Sequence, residues 1–335
     1  MNRKLFVVLL AVMGSQCLQL SAQRFFHRLD SMLTVNYNKG GLDTAYIVRP
    51  ATKWTVKALL NVSGATIEAK GQRGGIASES KLNADNKATL SLGVSYLGFS
   101  LSAALNPAKL VGKYRDYELN FNCYGKRFGF DFIYQDAKNF KGWNETDGVG
   151  RIDLPEDVLR VKTINVNAYY AFNGRRFSYP AAFSQSYIQR RSAGSFMLAA
   201  SLMRQRAHTV DDDNDDNKET ESIEDKMNLK LLNIGIGGGY GYNYVPGRGW
   251  LLHISALPTF IVYSKTSMTW NEVDLPMEYD FPELIVTGRL ALVRQWGNKF
   301  FGLSSVLNYT NTGDTDNLAI LNAKWRVRAF FGVRF

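Results

Sequence analysis

Every second residue from Leu321 to Phe335 is apolar: Leu321, Ala323, Trp325, Val327, Ala329, Phe331, Val333 and Phe335. The residues between them, Asn322, Lys324, Arg326, Arg328, Phe330, Gly332 and Arg334, are mostly cationic or polar. A period of two held over this length is a β-strand with one greasy face and one wet, positive face. The same alternation runs through most of the chain. It recurs at Trp54/Val56/Ala58/Leu60/Val62, Leu90/Leu92/Val94/Tyr96, Phe128/Phe130/Phe132/Tyr134, Phe196/Leu198/Ala200/Leu202 and Trp250/Leu252/Ile254/Ala256. Counting all such runs gives about twelve strands, an even number as in bacterial single-chain barrels.

The connections alternate as well. Short turns at Leu97-Gly98, Gly125–Arg127, Asn243–Gly249 and Gly297-Asn298 take turns with long polar loops around 72–86, 106–114, 138–159, 207–227, 265–283 and 312–317. Short turns at one end and long loops at the other describe an outer-membrane barrel with periplasmic turns and extracellular loops. The expected fold is therefore all-β, a single antiparallel transmembrane barrel over residues 53–335. A mean hydropathy of −0.20 does not oppose this, because lipid-facing and lumen-facing residues average out along each strand. No apolar run is long enough for a spanning helix.

The N-terminus "MNRKLFVVLLAVMGSQCLQLSAQ" has a basic start at Arg3 and Lys4, an apolar stretch from Leu5 to Met13, and small residues before Gln23. That is a signal peptide over 1–22, implying export. Residues 23–52 lack alternation and are expected to form a periplasmic lead. The alternating end, Phe331, Val333 and Phe335, resembles the C-terminal signal strand by which barrel-assembly machinery recognises outer-membrane proteins. Expected surroundings are outer-membrane lipid and lipopolysaccharide in a Gram-negative bacterium. The net charge of +10 is spread over strands and turns of an exported chain, so nucleic acid is not an expected partner.

One connection breaks the rhythm. "NGRRFSYPAAFSQSYIQRRSAGS", 173–195, falls where a short turn is due. A long connection in a compact fold is usually functional or fills a space. It is expected to fold inward as a plug, presenting Gln185, Gln189, Arg190 and Arg191. The groove it would meet is Gly235, Gly237, Gly239 and Gly241, all on the presumed lumen face; strand curvature explains these glycines equally well. The segments "FSYPAAFSQSYIQRRSAGSF" and "GGGYGYNYVPGRGW", with the Phe-terminated end, resemble an uncharacterised family of Bacteroides-like bacteria, domain of unknown function 4421. The resemblance implies an outer-membrane barrel and supplies no activity and no site residues.

Three constellations carry chemistry. If the apolar set of the last strand faces lipid, Lys324, Arg326, Arg328 and Arg334 face the lumen, joined by Lys53 and Lys57 of the first strand and by Arg289. Such tracks select anions in pores, which makes a narrow porin-like pathway for small anionic solutes one expectation. Internal pairing with Glu118 and Asp131 and a lumen filled by side chains is the other. Second, His253 and Ser255 lie on one face of a strand, as in lipid-acyl hydrolase barrels, with Asn233 the candidate third member. Docking of a partner protein through 173–195 or the outer loops is a further alternative. Third, the carboxylate run Asp211–Asp225 lacks the glycine of a calcium loop and reads as a solvated loop. With only His27, His208 and His253 available, no metal site is expected, and no cofactor motif is present.

Overall fold

The structure is a computed structural model that describes residues 41–335 except 74, 85, 98, 106–116, 139, 155–158, 210–225, 271–272, 276–282 and 315–317. The expected signal peptide, most of the expected lead and the acidic run lie outside the described residues. So does the side chain of Glu118.

The strands follow in chain order as β1 (Ile47–Val48), β2 (Trp54–Arg73), β3 (Ile76–Ala84), β4 (Lys87–Tyr96), β5 (Phe99–Leu105) and β6 (Tyr117–Tyr124). Next come β7 (Phe128–Ala137), β8 (Phe140–Thr146), β9 (Gly150–Leu154) and β10 (Leu159–Ala171), then a short helix α1 (Tyr179–Phe183). After it lie β11 (Ile188–Gln189), β12 (Ala193–Thr209), β13 (Met227–Gly247), β14 (Trp250–Trp270) and β15 (Val273–Leu275). The last three are β16 (Leu284–Trp296), β17 (Lys299–Asp314) and β18 (Leu318–Arg334).

Among the described residues, twelve strands pair antiparallel in the order β2, β4, β5, β6, β7, β10, β12, β13, β14, β16, β17 and β18, and β18 pairs back onto β2. Trp54 and Phe335 exchange backbone hydrogen bonds of 3.0 Å in both directions at this seam. With β18 paired to β2, no strand of the ring is an open edge among the described residues, the condition for backbone to survive in hydrocarbon.

Side-chain parity follows the sequence pattern. Along β14, Leu252, Ile254, Phe260 and Val262 point outward, while Leu251, His253, Ser255, Leu257 and Thr259 are buried inside. Phe128 and Phe196 are each 71% exposed. Large apolar side chains left so open, all round one face of a closed sheet, form a surface suited to lipid. From Trp250 to Tyr263, at about 3.4 Å per residue and a tilt of about 45°, β14 rises roughly 30 Å, enough to cross the hydrocarbon. Aromatic rings crowd the short-turn end of this belt: Trp54, Tyr96, Tyr170, Phe172, Trp250, Trp296 and Phe301.

The opposite end is more ordered than the expected loops at 72–86, 138–159 and 265–283. β2 continues into a hairpin with β3, β8 pairs with β3 and with β9, and β14 runs on to Trp270 with β15 beside it. These stretches show no apolar alternation because polar pairs hold them. Ser80 Oγ donates to Asn144 Oδ1 at 2.8 Å, Thr66 Oγ1 to Asn83 Oδ1 at 2.9 Å, and Lys70 pairs with Glu79 at 2.8 Å. Beneath them, inward-facing Ala137, Phe140, Leu159, Val161, Ala207, Leu229 and Met268 form an apolar layer. Ile67 and Ile320, from the seam side of the ring, pack against it.

Candidate functional site

The connection between β10 and β12 enters the barrel from the short-turn end. Phe172 bonds back to Phe196, and two turns at 173–176 lead to α1. Ser178 caps the helix by accepting from Ala181 N at 3.3 Å, and Pro180 sits in its first turn where no intrahelical donor is needed. Gln185 ends it with φ 58°, a left-handed residue that turns the chain and donates its amide N–H to Pro180 O at 2.7 Å. Phe177, Ser178, Tyr179, Ala181, Ala182, Ser184 and Gln185 are all buried. The segment packs against the inner wall, in the place expected of a plug.

Cations of the barrel wall hold it. Lys57, 5% exposed, donates to Gln185 Oε1 at 3.2 Å and reaches Phe183 O and Ser184 O at 3.4 and 3.5 Å. It thereby satisfies carbonyls that the short helix leaves open. Arg334, 2% exposed, donates to Gln185 O at 2.8 Å and to Gln295 Oε1 at 3.0 Å. Gln189 is a second anchor. Its Oε1 accepts from Ser178 N at 2.9 Å and from Asn243 Nδ2 at 3.0 Å, and its Nε2 donates to Arg176 O at 2.6 Å and Arg191 O at 2.9 Å.

His253 and Ser255 belong to the same assembly. Asn243 spends its amide nitrogen on Ser178 O and Gln189 Oε1, so its Oδ1 faces His253 Nδ1 at 2.7 Å as an acceptor. That fixes the proton on Nδ1 and leaves Nε2 to accept from Ser255 Oγ at 3.0 Å. The hydrogen-bond order is that of a Ser–His–Asn triad. Its setting differs from the hydrolase expectation in two respects. The pair faces the lumen, with His253 0% exposed, and its ring is packed by Phe177, Tyr179 and Phe183 of the plug at 6.0, 5.1 and 5.0 Å. The third member is Asn243, directly opposite His253 in register, while Asn233 bonds Ser264 and Thr312 instead. Burial of Tyr179 in this cluster pushes its phenol up to about 12.

The other expected residues divide. Arg289 forms an enclosed ion pair with Asp131 at 2.5 Å, and Asp131 also accepts from Tyr124. The Arg289 guanidinium lies 5.5–5.7 Å from the rings of Tyr169, Tyr179 and Phe183. Lys324, Arg326 and Arg328 point inward and donate to Gln135, Asn120 and Asn61. With Lys57, Arg289 and Asp131 they line a chamber of about 70 Å³ between the plug and the apolar layer. Lys53 is not part of it: it precedes β2 and is exposed at the rim. Arg190 and Arg191 also stay outside, because the lead docks there. β1 pairs with β11, Arg190 N donates to Tyr46 O at 2.7 Å, Asp43 pairs with Arg176 at 3.0 Å, and Arg176 and Arg191 lie over the Tyr46 ring. In the turn beside them, burial and then the cations Arg127, Arg49 and Arg175 lower the Lys126 pKa.

Of the glycines, only Gly241 meets the plug: a Cβ there would lie 3.0 Å from the Phe177 ring. At Gly237 and Gly239 a Cβ would strike the carbonyls of Pro258 and Ala256 at 2.2 and 1.9 Å. Those two, and Gly235 beside Ser201, serve close strand approach rather than a groove.

A family model spans residues 41–335, from the docked lead through the plug to the last strand. The chain belongs to the DUF4421 family. Its description is "Domain of unknown function", so membership assigns no activity. No curated protein matches. Among solved structures, the chain is similar to the outer-membrane protease OmpT of Escherichia coli, at 10% identity and TM-score 0.42, covering 89% of this chain and 100% of that one. It is also similar to the outer-membrane protein OprG of Pseudomonas aeruginosa, at 11% identity and TM-score 0.29, covering 85% and 97%. A third is outer-membrane expressed OmpT of Vibrio cholerae, at 9% identity and TM-score 0.28, covering 83% and 99%.

Proposed function

We propose that the protein is an outer-membrane β-barrel that is closed at rest and serves as a structural body, anchoring its lead and plug on the periplasmic side. The observation that carries this reading is the double closure of the lumen. The plug is bonded into the short-turn end by Lys57, Arg334 and Gln189. The apolar layer around Phe140 and Met268 spans the other end. Hydrolysis of membrane lipid does not fit, because His253 and Ser255 lie on the wrong face and under aromatic rings.

The basic chamber favours a second reading, a narrow pathway for small anionic solutes that opens when the plug moves. Lys57, Arg289, Lys324, Arg326 and Arg328 face Asp131 there. Among the described residues these five basic side chains share the chamber with one carboxylate, Asp131, a balance that attracts anions.

Single-channel recording in a planar bilayer separates the two. The closed barrel shows no unitary conductance in the native protein or in Gln189→Leu, which loosens the plug. Conductance by the native protein overturns the first reading. Anion-selective conductance confined to Gln189→Leu, and weaker in selectivity with Arg326→Gln added, establishes the second.

A further inference from the structure

The outward face of β16 reads Leu284, Val286, Gly288, Leu290, Leu292, Arg294 and Trp296, alternating with buried Ile285, Thr287, Arg289, Ala291, Val293 and Gln295. Arg294 is the single charge in that outward series. An arginine is costly at the middle of a bilayer and cheap near its interfaces, so its place near the short-turn end marks headgroup level. Its guanidinium lies 5.4 Å from the Trp250 ring, and Trp250 and Trp296 each pack edge-on against Phe301, at 6.0 and 5.5 Å. Register explains the grouping: Trp250 stands opposite Arg294, Arg294 opposite Phe301, and Trp296 opposite Lys299. The β13–β14 turn adds exposed Arg248 at the same end.

Two features turn this grouping into a site. Arg294 is half-buried, and its Nη1, covered by protein atoms, has no hydrogen-bond partner among the described residues, an unfilled donor of the kind that protein interiors avoid, so a side-chain rotation that brings it out to an anion gains a bond. And neither 244–252 nor 292–301 contains an Asp or Glu, so no carboxylate of these turns answers Arg248, Arg294 and Lys299. A guanidinium among indole rings at headgroup depth suits a phosphate whose acyl chains run up the adjoining belt.

We propose that Arg294, with Lys299 and Arg248 and flanked by Trp250, Trp296 and Phe301, binds the phosphate of an anionic glycerophospholipid in the periplasmic leaflet. The site goes beyond the closed-barrel reading and rests on it in one respect, that the belt faces lipid.

Native mass spectrometry of the protein in neutral detergent tests it, with dioleoyl phosphatidylglycerol, dioleoylglycerol and inorganic phosphate as separate probes. One phosphatidylglycerol is retained by the native protein and by the lumen variant Arg326→Gln. Arg294→Gln lowers that occupancy at least five-fold, and dioleoylglycerol is retained weakly. Folding of each variant is read from heat-modifiable gel migration. Lys299→Gln and Arg248→Gln, each expected to lower occupancy at least two-fold, decide the matter if Arg294→Gln does not fold. Equal occupancy in folded native and variant proteins overturns the site. Retention of both lipids alike leaves the belt lipid-facing and removes the headgroup site. Displacement of the lipid by an equal concentration of inorganic phosphate shows a free-anion site and likewise overturns it.

Discussion

Gln189→Leu is the sharpest test of how the plug is held. Gln189 makes four hydrogen bonds, and leucine of similar size makes none. Asn243 Nδ2 keeps its second acceptor, Ser178 O. Three groups lose the partner described for them: Ser178 N, Arg176 O and Arg191 O. The enclosed Ser178 amide costs about 2 kcal/mol when orphaned, and the two part-buried carbonyls, which regain water, about 0.5 kcal/mol each. The total of roughly 3 kcal/mol raises the undocked population about 100-fold, at 1.4 kcal/mol per factor of ten. Trypsin reads that population. Arg175, Arg176, Arg190 and Arg191 offer cleavage points, but their backbone is pinned by Asp43 N, by Asn173 O and by Tyr46 O. When opening is fast relative to cleavage, the cutting rate follows the open fraction. Cleavage between 173 and 192 is therefore expected to accelerate about 100-fold in a barrel that still shows heat-modifiable migration. A folded variant cut within about three-fold of the native rate would refute the argument that this network docks the plug.

Three further outcomes follow from the lumen. Arg289→Met strands Asp131 and is expected to lower stability by about 3–5 kcal/mol in urea unfolding, with more than half recovered on adding Asp131→Asn. No recovery would mean the pair is not the main term. Gly129→Ala puts a methyl within 1.8 Å of the Tyr169 ring; displacement of the ring should cost about 1–3 kcal/mol and weaken the near-ultraviolet dichroism of the tyrosine cluster. Ser255→Ala removes one enclosed hydrogen bond, a loss of about 1 kcal/mol, and leaves turnover of a soluble nitrophenyl ester unchanged. Ser255-dependent turnover would contradict an anchoring role for the His253 network.

The barrel was legible wherever lipid dictates composition. Trp54 to Val62, Phe196 to Leu202 and Leu321 to Phe335 alternate because one face is apolar by necessity, and the structure pairs these stretches into the ring. Beyond the membrane that necessity ends. Ser78, Ser80 and Asn144 pair side chain to side chain across β3 and β8, so strand and polar loop read alike. The plug announced itself by its length, but not by its contacts. Asn243 was missed because its partnership with His253 is a matter of cross-strand register. Register in β13 shifts near Gly235 and again near Gly247, and no periodicity within one strand reveals such slips. Lys53 was misplaced for a related reason: alternation assigns a face but cannot say where the wall begins.

The plug is tied at both ends to neighbouring strands, Phe172 following β10 and Ala193 opening β12, which pair along their length. It is thus a ligand that never leaves its receptor. A short flexible tether holds a partner at an effective concentration of about 1 mM. At that concentration a segment whose contacts would give only a ~1 μM affinity in free solution stays docked about 99.9% of the time. Modest individual bonds from Lys57, Arg334 and Gln189 therefore suffice for tight closure. Whatever displaces the plug must compete at that local concentration, or first detach the lead strapped across β11.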